Sequence, residues 1–229
     1  MANSNKINGF TPVSYLSGAA YTGACRTYAI PVADTTASYA IGDVVRIAGG
    51  SDANGIPYVI KIPAAEAAAF VPLGVVVGVE VASAGVSLQA ANLDLTTTYI
   101  VAGTRSAVRY VRVADDPNLL WSASIGVTGT NSTLAKLGNY NAGLGSVYSG
   151  ADQTYAIDQN ATVTTLLSAN APYSNIVLTG VATTATLPVR LMGLYQTPDN
   201  GIGAYARVLC RFQNHEYGWS VAGTGRTGS

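Results

Sequence analysis

The sequence predicts an all-β protein: a sandwich, or a jelly-roll or barrel-like domain, with an extended N-terminal arm and a loop-rich insertion. Three observations carry that prediction. About ten short β-prone runs follow one another at close spacing, with turn residues between them. No run has the length and period of an ordinary helix. The best helical stretch, residues 63–70 (PAAEAAAF), supplies one or two turns, with Pro63 suited to a first helical position and alanine the strongest helix former. The third observation is a strict two-residue alternation near the C-terminus. Ala204, Ala206, Val208, Cys210 and Phe212 fall on one face, and Tyr205, Arg207, Leu209 and Arg211 on the other. Successive side chains of a strand point in opposite directions, so the first face is core and the second carries two arginines. Residues 187–195 form the partner strand. Thr197-Pro198-Asp199-Asn200-Gly201 closes a hairpin whose loop exceeds two residues.

The remaining elements follow in order. Residues 1–25 show neither period. Their apolar anchors, Ile7, Phe10, Val13, Tyr15, Leu16 and Tyr21, are spaced among Gly, Ser and Pro. Such a segment cannot bury a core of its own and reads as an arm lying extended along a neighbour. Residues 26–229 form the β-rich domain. Strands are predicted at 26–31, 43–47, 57–62, 73–81, 98–102, 107–113 and 119–124. The loop at 49–55 holds the turn pair Asn54-Gly55. Gly74 and Gly78 mark a close backbone approach or a bulge. Residues 125–180 are rich in Gly, Asn, Ser and Thr and read as a loop-rich lobe, with weak strands at 163–167 and 176–179 and a helical turn at 134–137. The glycine-rich tail, 223–229, reads as frayed. No repeat of fixed period is present.

Composition narrows the function. Charged residues make up 10% of the chain, against roughly 25% in an ordinary soluble domain. Nine arginines outnumber three lysines, and there are fourteen tyrosines. Protein–protein interfaces are depleted in Lys and Glu and enriched in Tyr and Arg, so the composition points to a surface covered by copies of the chain or by partners. Net charge is zero and no basic run occurs, which removes the polyelectrolyte attraction behind nucleic-acid binding. The longest near-continuous apolar run, 71–79, is far short of the ~20 residues a membrane helix needs, and there is no basic amphipathic helix. The first residues lack a secretory pattern. Asn131-Ser132-Thr133 and Asn160-Ala161-Thr162 are therefore chance matches to the glycosylation pattern. Cys25 and Cys210 form neither a disulfide framework nor a metal pair, which fits intracellular synthesis. Cys210 reads as a small buried hydrophobe.

No catalytic, cofactor-binding or metal-binding residue emerges. His215 is the one histidine, and His215-Glu216 lacks the second histidine a zinc-protease motif needs. It reads as a structural or interface histidine, at the end of a strand. Asp115-Asp116 precedes Pro117 and reads as a solvated turn with an Asx cap rather than an acid–base pair. Glu66, Glu80 and Asp94 could converge on folding, but nothing in the sequence brings them together. Gly143-Leu144-Gly145 and the glycine-rich tail lack the strand, Lys-Ser/Thr and helix of a phosphate loop. Arg105, Arg109 and Arg112, and Arg207 and Arg211, read as pairs within a sheet or between subunits, since arginine suits bidentate carboxylate contacts.

Several blocks carry a family resemblance: Asn8-Gly9-Phe10-Thr11-Pro12-Val13, Ile41-Gly42-Asp43-Val44-Val45, Leu73-Gly74-Val75-Val76-Val77-Gly78, Val113-Ala114-Asp115-Asp116-Pro117 and, most densely, residues 190–217. In that order they resemble the capsid decoration, or cement, proteins of tailed bacteriophages. The resemblance implies a β-rich protein made in the host cytoplasm and placed on the capsid's outer surface. Its partners would be the major capsid protein and itself, as a homo-oligomer, with a trimer preferred to a dimer. No catalytic residue or cofactor comes with it. On this reading Ile7, Phe10, Val13, Tyr15, Leu16 and Tyr21 are capsid contacts, and Tyr205, Arg207 and Arg211 are subunit contacts. Such contacts bury about 1,200–2,000 Å² each. Two other classes compete: a tail or head-fibre protein that binds a host surface through the 125–180 lobe, and a glycan-degrading enzyme, which would need a carboxylate pair. The arm reading expects a chain lacking residues 2–25 to remain a folded β-domain.

Overall fold

A computed structural model describes residues 3, 9–35, 37–62, 71–80, 99–100, 102–125, 141–146, 156–157, 173–174, 176–182 and 187–218. Among these residues there is no helix. The strands are β1 (Thr11–Tyr15), β2 (Arg26–Ile30), β3 (Tyr39–Ala40), β4 (Val44–Ser51), β5 (Pro57–Lys61), β6 (Gly74–Val79), β7 (Tyr99–Ile100), β8 (Arg109–Ala114), β9 (Leu119–Ser124), β10 (Asn141–Ser146), β11 (Ala156–Ile157), β12 (Tyr173–Ser174), β13 (Ile176–Ala182), β14 (Val189–Leu194) and β15 (Arg207–Phe212). Strands β2-β5-β4-β6-β8 close into a barrel. A six-stranded sheet runs β1-β9-β15-β14-β10-β13, and β3 with β7 and β11 with β12 form short pairs. The all-β prediction holds. The predicted helix at 63–70 and strand at 163–167 lie outside the described residues.

Strand alternation explains how barrel and sheet meet. Val45, Val76, Val111 and Val113 point into the barrel and pack with Tyr28, Ile30, Val59 and Leu73. Their neighbours Val44, Val75 and Ala114 point out of it and share a second core with Trp121, Val189, Leu191, Val208, Cys210 and Phe212 of the sheet. Strand β6 is therefore buried on both faces over Val75 and Val76, which is why it reads as a near-continuous valine run rather than an alternating one. Both glycine readings hold. A Cβ at Gly74 would collide with the Ala114 carbonyl oxygen. The register of β6 on β8 shifts between Val76 and Gly78.

One turn joins the parts. At Ala40-Ile41-Gly42-Asp43 the Asp43 amide donates to the Ala40 carbonyl (3.2 Å), and Gly42 has φ of 95°. A type II turn requires positive φ at its third residue, which favours glycine there. The turn's backbone reaches three distant segments. Phe10 N–H donates to Gly42 O (3.0 Å), Val76 N–H to Asp43 O (2.8 Å), Gly42 N–H to Val76 O (2.8 Å) and Ser174 N–H to Ile41 O (3.3 Å). The Asp43 carboxylate turns inward, accepts from Ala40 N–H (2.8 Å) and pairs with Lys61 Nζ at 2.7 Å. Both side chains are essentially enclosed. Lys61 Nζ also donates to Ser38 O (3.2 Å).

The N-terminal segment departs from the expected arm. Phe10 is 2% exposed and stacks on Phe212 at 5.4 Å between ring centroids. Strand β1 pairs antiparallel with β9, from Thr11 opposite Ser122 to Tyr15 opposite Leu119. Tyr15 and Tyr21 pack on the shared core. Asn3 binds the β14–β15 loop through three hydrogen bonds, donating to Gly201 O and Ala204 O (2.8 Å each) and accepting from Gly201 N–H (2.7 Å). A register shift between Pro12 and Ser14 breaks the alternation that would have marked β1 as a strand.

Two further expectations change. Tyr205 is not on a strand: it sits in the loop with φ of 57°, and β15 begins at Arg207. Strand β15 ends at Phe212, so His215 and Glu216 belong to the turn after it rather than to its end. The interval 125–180 is also more than a projecting lobe, since β10 and β13 complete the main sheet next to β14.

Replacing Phe10 by alanine removes a fully buried ring from the shared core. Chemical denaturation should show a loss of about 3–5 kcal/mol. A loss below about 1 kcal/mol, or a stable fold after deletion of residues 2–25, would restore the detachable-arm reading.

Candidate functional site

The described surface has two features of note, at opposite ends of the β14–β15 hairpin. At the open end lies a cleft of about 570 Å³. Arg211 and Phe212 reach it from β15, His215 and Tyr217 from the following turn, Leu16 from the end of β1, and Pro117 from the β8–β9 turn. Among the described residues, no carboxylate lines it. Leu16 and Tyr217 stand at its rim, 47% and 48% exposed.

The cleft wall is fixed by a polar network. His215 is buried, and its Nδ1 accepts the Tyr217 N–H at 3.1 Å. Phe212 and Tyr217 flank the imidazole at 6.4 and 6.3 Å. The Tyr217 hydroxyl lies 3.2 Å from that of Tyr28, and the Arg26 guanidinium sits 5.4 Å from the Tyr217 ring centre. Tyr28 donates to the Asp115 carboxylate at 2.6 Å. Arg26, largely exposed, approaches Asp115 at 3.5 Å and adds little at that exposure.

The Asp115-Asp116 pair thus divides. Asp116 accepts the Asn118 N–H at 2.7 Å, the expected Asx cap. Asp115 is 8% exposed rather than solvated, because Tyr28 of β2 supplies the donor that makes its burial affordable. Burial, and then the bond to Asp115, holds the Tyr28 phenol far above its ordinary ionisation range.

At the other end, the β14–β15 loop is stitched from inside. Asn200 Nδ2 donates to Tyr195 O (2.7 Å) and Arg207 O (2.6 Å), and Asn200 Oδ1 accepts from Arg207 N–H (2.9 Å). Asn3 holds the loop's far side. The fixed loop presents Asp199, which is exposed, and Ile202, 46% exposed.

The arginines resolve into two groups. Arg105 donates to Ala37 O at 2.8 Å and lies over Tyr39, Arg109 donates to Glu80 O at 3.3 Å, and Arg112 pairs with the Glu80 carboxylate at 3.0 Å. These are contacts within the chain. In the main sheet, Arg190 of β14 stands directly opposite Arg211 of β15, and the Arg207 guanidinium sits 5.8 Å from the Tyr195 ring centre. The six strands of that sheet contain these three arginines and no acidic residue.

The proposed capsid contacts are distributed unevenly. Phe10 is core, Val13, Tyr15 and Tyr21 are half-buried, Leu16 is exposed at the cleft, and Ile7 lies outside the described residues. Of the proposed subunit contacts, Arg211 lines the cleft and Arg207 lies on Tyr195. Sequence reasoning missed Arg26, Tyr28 and Tyr217, whose only signal was the abundance of Arg and Tyr. Cys210 is fully buried, its Sγ 3.5 Å from Trp121 O, and burial pushes its thiol pKa up. Among the described residues, no group of three or more His, Cys, Asp and Glu comes together to hold a metal ion. No protein-family model, curated protein or solved structure matches the chain.

Tyr28→Phe removes the donor to a buried carboxylate, and its expected cost is about 1–3 kcal/mol near neutral pH. The raised phenol also sets a pH dependence. Its contribution is fully present below the unfolded tyrosine pKa of about 10 and is lost as pH rises through the folded value. Denaturation at about pH 8 and about pH 11 should show a steeper alkaline loss in the wild-type chain than in Tyr28→Phe. Equal losses would contradict the network.

Proposed function

We propose that the chain is a structural protein of a tailed-phage virion, a decoration or cement protein. It sits on the outside of the head and ties neighbouring major capsid proteins together against the pressure of packaged DNA. The observation that carries this reading is the make-up of the cleft: tyrosine and arginine with apolar shoulders, the residue types favoured at protein contacts. Support also comes from the low charge and from the ordered series of sequence blocks that resemble cement proteins. The barrel layered on the sheet serves as a sandwich-like body. The protein acts by adding buried contact area, without catalysis and without a cofactor.

In this reading the capsid contacts differ from an arm that clamps. Phe10 holds the N-terminal segment to the body rather than to the capsid. Copies act together as a homo-oligomer, a trimer in preference to a dimer, seated on a symmetry axis or between capsomers.

Particles made without the chain should assemble, but release DNA at lower temperature than complete ones. Adding back purified protein should restore the release temperature. Particles that lack it, resist heat fully and fail to adsorb to cells would instead make it a host-binding tail or head-fibre protein.

A further inference from the structure

We infer that copies of this chain associate head to tail, with the β14–β15 loop of one copy seated in the cleft beside Arg211 of the next. The inference deepens the coat-protein reading and rests on it for the use of repeated copies.

The two ends of the hairpin have complementary chemistry. The loop offers a carboxylate, Asp199, and an apolar side chain, Ile202, both exposed. The cleft offers a guanidinium, Arg211, between the exposed apolar groups of Leu16 and Tyr217. The enclosed Arg211 Nε makes no hydrogen bond. A guanidinium at the cleft wall makes a carboxylate the favoured occupant. Asp199 supplies the carboxylate, and Ile202 fills the space between Leu16 and Tyr217.

Geometry makes this contact intermolecular. Loop and cleft lie at opposite ends of β15, a strand of roughly 20 Å, so one copy cannot fill its own cleft. A symmetric contact through the outer sheet face would set Arg207 and Arg211 of two copies against one another, which like charges oppose. A head-to-tail contact avoids this, and its repetition closes a ring when the rotation allows. The loop is also prepared for the role. Asn3 and Asn200 fix its backbone before any partner arrives, so little conformational freedom is lost on docking.

Analytical ultracentrifugation of the full chain tests the contact in solution. The wild-type chain should associate in a concentration-dependent way. Asp199→Arg, on an exposed loop, should weaken association by at least about tenfold, and so should Arg211→Asp. The doubly substituted chain, with the pair reversed, should recover most of the loss. A wild-type chain that stays monomeric at about 100 µM, an Asp199→Arg chain that associates normally, or a reversed pair that recovers nothing would each overturn the inference. The measurement contains no capsid. A monomeric wild-type chain therefore sinks the head-to-tail contact alone, whereas an oligomer that adds nothing to particle heat stability sinks the coat reading alone.

Discussion

A carboxylate enclosed at a turn constrains the rest of this structure. Asp43 is fully buried and pairs with Lys61, itself nearly sealed from solvent. Taking two charges out of water costs several kcal/mol for each ion, and the cost is met only while both are present and hydrogen-bonded. Removing either partner strands the other, so the turn and the end of β5 must be buried together. Asp43 Oδ2 takes up Lys61 Nζ and the Ala40 amide, which sets the turn's geometry. With that geometry fixed, the turn's carbonyls and amide point at Phe10, Val76 and Ser174. Segments far apart in sequence are thereby held to one short stretch of backbone.

The consequence for function is rigidity at both ends of the main sheet. Phe10 cannot leave its place against Phe212 without opening the shared core, and β1 cannot leave β9 without exposing a row of backbone groups. What would have been a loose arm becomes the wall that carries Leu16 to the cleft rim. The β14–β15 loop is held by Asn3 and Asn200 in the same spirit. Such preparation favours any later contact at these places, because an ordered contact then forms with less loss of freedom.

Much of the sheet was legible because strands write their faces into the sequence. Ala206, Val208, Cys210 and Phe212 are buried while Arg207, Leu209 and Arg211 are half-exposed, as the alternation required. The valine runs of β4 and β6 announced strands but not that both their faces would be covered. Strand β1 was illegible because a bulge after Pro12 broke its period. Tyr205 was misplaced because no residue-level pattern announces a left-handed backbone at a tyrosine. The Asp115 environment depends on Tyr28, far away in sequence, and the cleft is assembled from three separate stretches. Long-range pairing of this kind leaves no local trace, so the candidate site was readable only as a surplus of Arg and Tyr.

Amide hydrogen exchange tests the junction most directly. The Phe10, Gly42 and Val76 amides all bond across the Ala40–Asp43 turn. If the turn locks the N-terminal segment and the barrel into one cooperative body, the three should exchange through the same opening, with free energies that agree and match global unfolding. A Phe10 amide that opens at a free energy lower by about 2 kcal/mol or more, while Val76 stays protected, would contradict the account. It would show an N-terminal segment that detaches on its own.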